Sequence, residues 1–312
     1  MNTLAVVFDR PEQLSLQQLA LVEPSDADVV VDVEWTGISS GTERLLYTGR
    51  MPAFPGLGYP LVPGYESVGR VSHAGASSGR REGDRVFVAG ARCYADARAL
   101  FGGASRRLVV PGAKALVVRE SLEERAILLA LAATAHHAII DGRAPELIIG
   151  HGVLGRLIAR LALVAGASAP TVWETNPTRR GGARGYTVCT PEEDERRDYA
   201  AVYDVSGSAD PSLLDTLVAR LARKGELVLA GFYDTIAFRF TPAFHREVRL
   251  RIAAEFTASD MEAVVAMAND GTLALDDLIT HRQPADAAAD AYGTAFGDAA
   301  CVKMALDWRH LT

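Results

Sequence analysis

Hydrophobic and polar positions fall into two textures along the chain. Before Ser121, short β-branched runs at 4–8, 28–35, 67–71 and 84–88 alternate with clusters of Pro, Gly and Ser, which predicts closely spaced strands. Among them, residues 51–60 hold Pro52, Pro55 and Pro60 with Gly56 and Gly58, a composition that suits neither a helix nor a central strand. That stretch reads as a rigid loop carrying Phe54 and Tyr59, either a surface connection or the wall of a binding cleft. From Ser121 the grammar changes to alternating helices and strands. An Ala/Leu-rich helix is followed by a strand at 147–149, a second helix, strands at 170–173 and 201–205, a helix at 213–223 and a strand at 227–230. This order predicts a parallel sheet covered by helices. After Phe256 the pattern gives a helix at 259–269, a short strand at 278–280, an Ala-rich segment at 285–292 and a closing strand at 300–306.

Composition narrows the function classes. The 312 residues suggest two domains, at roughly 150 residues per domain. With 32 Lys and Arg against 39 Asp and Glu, the net charge is −7, and no basic block exists to neutralise a phosphate backbone, so a nucleic-acid partner is not expected. Cys93, Cys189 and Cys301 are too scattered for a disulfide framework or a paired-cysteine zinc knuckle, which points to a reducing cytoplasm. The longest apolar stretch, 126–140, contains His136 and His137 and falls short of the ~18 residues a spanning helix needs, leaving only peripheral membrane contact.

The sharpest motif is Gly150-His151-Gly152-Val153-Leu154-Gly155, directly after the strand at 147–149 and at the start of an amphipathic helix. In this spacing the first glycine makes the tight turn, the second lets the backbone approach a pyrophosphate, and the third lets helix and strand pack closely. The helix N-terminus then offers free N–H groups to the diphosphate, and Gly150, Gly152, Val153, Leu154 and Gly155 form the expected cradle. Glu174, about 20 residues further on at the end of the next strand, can accept hydrogen bonds from ribose hydroxyls and would repel a 2′-phosphate, so NAD is expected. Arg179 and Arg180 are either solvated loop charges or the means to neutralise such a phosphate.

These features, with Gly64-Tyr65-Glu66-Ser67-Val68-Gly69-Arg70-Val71, Gly83-Asp84-Arg85-Val86 and Asp204-Val205-Ser206-Gly207, resemble the medium-chain dehydrogenase/reductase family over nearly the whole chain. The resemblance implies an α/β protein. A GroES-like β-rich catalytic domain would span 1–128 and a Rossmann NAD-binding domain, a doubly wound parallel sheet, 129–256. A C-terminal return to the catalytic domain would span 257–312. It also places Ser206 and Gly207 at the cofactor and implies a homodimer. Zinc-dependent members hold their metal through Cys, His and Cys or Glu. At those places this chain has Ser39 or Ser40, Tyr65 and a residue near Ala130, none of which replaces a thiolate, imidazole or carboxylate, so a metal-free enzyme is expected.

Without zinc, alcohol oxidation still needs a group to take the hydroxyl proton and one to steady the developing alkoxide. The resemblance makes Thr42 a proton-relay hydroxyl and Glu66 a supporting acid. Tyr65, in the place of a histidine ligand, becomes a donor to the substrate oxygen polarised by Glu43 or Glu66, or else a packed ring filling the metal space. Ser40 is the further candidate hydroxyl. His136 and His137 lie on the helix that in the family faces the nicotinamide. Adjacent helical positions diverge by about 100°, so at most one, taken as His137, would serve as base. His151 would contribute only backbone.

A narrower resemblance runs through 39–66 to the bacteriochlorophyll-pathway dehydrogenases that oxidise a 3-(1-hydroxyethyl) group on a chlorophyllide or bacteriochlorophyllide to 3-acetyl. It implies a flat tetrapyrrole substrate, with Phe54 and Tyr59 walling an apolar cleft and Arg50, or Arg44 or Arg92, meeting a propionate. Two other readings fit the same scaffold: a zinc-free, NADPH-dependent quinone or enone reductase, and a non-catalytic dinucleotide-binding protein.

Overall fold

The computed structural model describes every residue except Phe54, Ala209, Pro211, Asp234 and Thr312. The chain divides into two units, Met1–Ala130 with Leu275–Thr312, and Leu131–Ala274.

The first unit begins with a hairpin of β1 (Asn2–Arg10) and β2 (Gln13–Ala20), followed by β3 (Asp28–Ile38) and the short helix α1 (Thr42–Tyr47). Then come β4 (Ser67–Ala74), β5 (Arg85–Val88), β6 (Arg107–Pro111) and β7 (Ala115–Val117). β3 is the central strand of this unit, with β4 and β6 antiparallel to it. It is covered on both faces, which is why it reads as a near-continuous apolar run. Val29, Val30, Val31 and Val33 are all buried, at about 1.5–3 kcal/mol for each such side chain. β2 carries no such run: its alternation of Leu with Gln and Ser predicts nothing strong by itself, and its place comes from pairing with β1.

The second unit begins within α2 (Leu129–Ile140), and proceeds through β8 (Leu147–Ile149), α3 (Val153–Val164), β9 (Thr171–Trp173), β10 (Thr187–Cys189) and β11 (Tyr199–Asp204). It continues with α4 (Leu213–Arg220), β12 (Leu221–Leu229), α5 (Phe240–Arg246), β13 (Arg249–Ile252) and α6 (Ala258–Asp270). Its sheet runs β10-β9-β8-β11-β12-β13 with every pair parallel, the doubly wound order in which strand direction of travel reverses between β8 and β11. A ligand crevice is expected at the carboxyl ends of those two strands.

The tail returns to the first unit with β14 (His281–Pro284), α7 (Ala288–Gly297) and β15 (Met304–Asp307), the last pairing antiparallel with β3. The return starts at Leu275 and not at residue 257, because α6 belongs to the second unit. The expected strand at 278–280 is not formed; pairing with β15 begins only at His281, where the main chain meets Met304. The expected helix from Ser121 is a 3-10 segment, Glu120–Leu128, broken by Glu123 at φ 48° before α2 starts. Among the described residues, no helix is long and apolar enough to cross a membrane.

Candidate active site

The glycine turn sits where the sheet order predicts. β8 ends at Ile149, and Gly150 follows at φ +103° beside the carboxyl end of β11. A Cβ on Gly150 would stand 3.2 Å from Ser206 Cα. On Gly155 a Cβ would stand only 2.0 Å from the Gly150 carbonyl oxygen, so any side chain there would push α3 off the turn. Gly152, at the N-cap of α3, is different: nothing lies within 4 Å of where its Cβ would be. The chain thus packs tightly at the first and third glycines and leaves open space at the second. That open backbone, with the N–H groups of the first turn of α3 beside it, fits a dinucleotide diphosphate. Ser206 and Gly207 continue the same rim. The Ser206 hydroxyl and amide both bond Asp204 Oδ1, at 2.7 and 3.0 Å, and Tyr233 donates to Asp204 Oδ2 at 3.0 Å.

Glu174, just past β9, accepts from the amides of His151 (3.1 Å) and Asn176 (2.8 Å). Each carboxylate oxygen keeps a second lone pair, so the ribose role expected for Glu174 is compatible with its pinning of the glycine turn. Arg180 is committed to the backbone, donating to the carbonyls of Glu174 (3.0 Å) and Thr175 (3.1 Å). His151 points inward. Its Nδ1 donates to the Arg179 carbonyl at 2.7 Å and its Nε2 accepts from Tyr186 at 2.9 Å, while burial pushes the imidazole down to about 4, so it stays neutral. Arg156, a buried arginine that sequence reasoning passed over, donates to the carbonyls of His151, Arg179 and Gly181 and fastens the loop that follows Glu174. Its signal was a charge on the apolar side of α3.

α2 carries both histidines onto one carboxylate. His136 Nδ1 and His137 Nδ1 each lie 2.8 Å from an oxygen of Asp260, in the first turn of α6. Burial pushes the Asp260 carboxyl up. Bonds from the side chain and amide of Thr257 and from the two histidines outweigh it and hold the group well below the usual carboxylate range. The two imidazoles thus converge on one carboxylate although their helix positions diverge by about 100°, and because a carboxylate accepts, each Nδ1 is the donor in its bond. Asp260 was invisible in sequence because it lies 123 residues beyond His137.

In the first unit, antiparallel register assembles a cluster of hydroxyls. Thr36 stands opposite Ser67, so Ile38 and Ser39 run beside Tyr65 and Gly64 at the same end of the β3–β4 pair. Tyr65 donates to Ser39 Oγ at 2.7 Å, and its hydroxyl lies 3.4 Å from Thr42 Oγ1 in the first turn of α1. Ser39 is buried and bonded to Tyr65 while Ser40 is exposed in the turn before α1, so the serine of this cluster is Ser39 and not the Ser40 expected. Burial first, and then the charge of Glu66, push the Tyr65 phenol far up, so it is protonated at neutral pH.

The acids behind Tyr65 do not bond it. Glu43 accepts from the Ser39 amide at 2.9 Å and from Tyr292 at 2.5 Å, and burial pushes its carboxyl up to about 7. Glu66 turns away to pair with Lys303, one residue before β15, and both side chains are sealed from solvent. Neither group has a further hydrogen-bond partner among the described residues. Burial pushes the Glu66 carboxyl up and the Lys303 ammonium opposes it. Neither Glu66 nor Glu43 hydrogen-bonds Tyr65, and both act on its phenol only through their charge. Lys303 and Tyr292 were missed in sequence, although a lone lysine in the apolar run 300–306 was a signal for the first.

The loop residues divide. Phe54 lies outside the described residues. Tyr59 donates its hydroxyl to the Leu46 carbonyl and so anchors the loop. Arg50, Arg44 and Arg92 are exposed. The side chain of Arg98 lies against Gly58, whose added Cβ would stand 2.9 Å from it. Among the described residues no group of three or more His, Cys, Asp or Glu gathers as metal ligands would.

A doubly wound dinucleotide unit joined in one chain to a β-rich unit with a half-buried hydroxyl cluster defines a nicotinamide-dependent dehydrogenase, and the chain belongs to the medium-chain dehydrogenase/reductase family. Residues 25–120 match the alcohol dehydrogenase GroES-like domain. The chain is 54% identical over 99% of both chains to 2-desacetyl-2-hydroxyethyl bacteriochlorophyllide A dehydrogenase of Cereibacter sphaeroides. It is 53% identical, again over 99% of each, to the protein of that name from Rhodobacter capsulatus. The fold is shared with an alcohol dehydrogenase from Escherichia coli CFT073 solved with NADH, at a TM-score of 0.82 and 22% identity, covering 98% of this chain and 99% of that one.

Proposed function

We propose that this protein oxidises the 3-(1-hydroxyethyl) group of a chlorophyllide or bacteriochlorophyllide to 3-acetyl, in bacteriochlorophyll biosynthesis. The observation that carries the reading is the 54% identity to the Cereibacter sphaeroides dehydrogenase across 99% of both chains. The reaction removes a hydride from carbon and a proton from oxygen. A nicotinamide dinucleotide held at the glycine turn by Gly150, Gly152 and the first turn of α3 would supply the hydride acceptor, and the proton is left for this chain to handle. Tyr65 keeps its own proton at neutral pH, so it is not a standing base; with substrate bound, its single O–H turns from Ser39 Oγ to the reacting oxygen and the Ser39 hydroxyl donates to Tyr65 in return, with Thr42 beside them as the next hydroxyl of the relay. Glu43 holds Ser39 through its amide, and Lys303 keeps the neighbouring Glu66 charge neutralised. His137, its Nδ1 held by Asp260, has the geometry of an oriented base.

NAD is the proposed cofactor, supported by the Glu174 carboxylate at the glycine turn and by the engagement of Arg180 with backbone carbonyls. The enzyme is proposed to work without metal, because Ser39, Tyr65 and Ala130 supply no thiolate, imidazole or carboxylate. Incubation with a strong chelator should leave turnover unchanged; a proportional loss restored by Zn²⁺ would overturn this. A homodimer is proposed through β13, an edge of the sheet with Leu250 and Ile252 exposed, beside Phe240 and Phe244 of α5 at 73% and 62% exposure. The reducing cytoplasm is the proposed compartment, in keeping with free thiols at Cys93, Cys189 and Cys301.

The deciding experiment mixes purified protein, NAD and 3-hydroxyethyl bacteriochlorophyllide. A red shift of the pigment's long-wavelength band should appear as the acetyl group joins the conjugated ring. NAD binding with no spectral change would refute the assignment.

A further inference from the structure

Phe101 is a bulky side chain in a backbone conformation that suits glycine. Its φ is +76°, and Gly102 follows at +69°, so two successive residues are left-handed and only the second is a glycine. An aromatic residue there is a true conformational outlier, and such strain persists only where the surroundings over-determine it. The surroundings do so. The Ala91 amide donates to the Phe101 carbonyl at 2.6 Å, and a Cβ on Gly90 would stand 2.3 Å from that oxygen, so Gly90 is what lets the two segments close. On the other side, the Gly103 amide donates to the Gly64 carbonyl at 2.7 Å and Ala104 to Pro63 at 2.9 Å. The segment bearing Phe101 is thus bonded directly to the segment bearing Tyr65. Among the described residues, the ring held in this way meets the aromatic ring of Tyr65, with centroids 5.1 Å apart and planes tilted by 59°.

We propose that Phe101 is a positioning residue for Tyr65: its strained backbone presents the ring that holds the Tyr65 phenol over Ser39 and Thr42. The tilted ring contact limits the swing of Tyr65 about its side-chain bonds, and a phenol free to swing loses the 2.7 Å bond to Ser39. The cover that the ring provides also accords with the upward push of burial on the Tyr65 phenol. The proposal rests on the reading that Tyr65 handles the substrate's proton.

The test uses Phe101→Gly and Phe101→Tyr in the full chain. Glycine adopts φ +76° without strain, which offsets part of the packing lost with the ring, so Phe101→Gly should still fold, with a thermal midpoint below that of the parent. Loss of positioning should lower kcat about tenfold while the KM values for NAD and pigment stay within about twofold, and Phe101→Tyr, which keeps the ring, should restore kcat. A raised pigment KM with unchanged kcat would make Phe101 a substrate wall and overturn the proposal. A second readout needs no turnover: NMR of protein labelled with ¹³C at tyrosine Cζ, with the Tyr65 signal identified by its loss in Tyr65→Phe. In Phe101→Gly that signal should shift and should titrate at lower pH than in the parent; an unmoved signal refutes the positioning role. If the parent oxidises no hydroxyethyl pigment, the functional reading fails while the NMR outcome still decides whether Phe101 positions Tyr65.

Discussion

Tyr292 donates its hydroxyl to Glu43 at 2.5 Å across 249 residues of sequence, and the same carboxylate accepts the amide of Ser39, whose hydroxyl receives the bond from Tyr65. The tail of the chain thereby sets the place of a serine near its start.

Because burial raises the Glu43 carboxyl from 4.5 to about 7, the folded state holds a proton there that the unfolded chain has lost. Stability from this group therefore falls as pH rises from 4.5 to about 7, the reverse of a salt-bridged carboxylate. Glu43→Gln, which can still bond Tyr292 and the Ser39 amide, should remove that slope and be more stable than the parent at pH 8, by on the order of 3 kcal/mol. Denaturant unfolding at pH 5 and pH 8 checks this; an equal difference at both pH values would refute it.

Lys303→Met strands the Glu66 carboxylate in the core, and removing one partner of a buried pair costs about 3–5 kcal/mol. Adding Glu66→Gln should recover most of the loss, since a buried pair contributes little against neutral replacements. Chemical denaturation of the single and double variants measures the coupling. Additive losses would mean that the two groups do not act as a pair.

Tyr65→Phe keeps the ring contact with Phe101 and removes only the hydroxyl shared with Ser39 and Thr42. Turnover should fall about a hundredfold or more, in the range of acid–base groups, with NADH affinity unchanged. Steady-state rates beside a fluorescence titration separate the two, and a parental kcat would exclude Tyr65 from the proton transfer.

Glu174→Ala removes the brace on the His151 amide together with the carboxylate proposed to bond the cofactor ribose. The NADH dissociation constant should rise about 10- to 100-fold, and NADPH should lose less, because the variant no longer repels a 2′-phosphate. Parallel titrations with the two cofactors provide the check. Equal losses for both would assign Glu174 to the turn alone.

What the sequence determined by itself lay in contiguous chemistry. A strand, a glycine turn and a helix start follow from residues 147–164 because each glycine answers a local backbone demand, and the alternation of helices with strands after Ser121 is enough for a parallel sheet. The substitution of Ser, Tyr and Ala at metal-ligand places is likewise written in residue identity. The tertiary structure alone decided which side chains meet. The turn that ends β3 leaves Ser39 buried against Tyr65 and Ser40 exposed, a difference that two adjacent serines do not encode by themselves. Pairing of β15 with β3 brings Lys303 to Glu66, α7 brings Tyr292 to Glu43, and α6 brings one aspartate to two histidines. These partners stand more than 100 positions apart, and no local periodicity encodes such a distance; burial and the need to satisfy buried polar groups do.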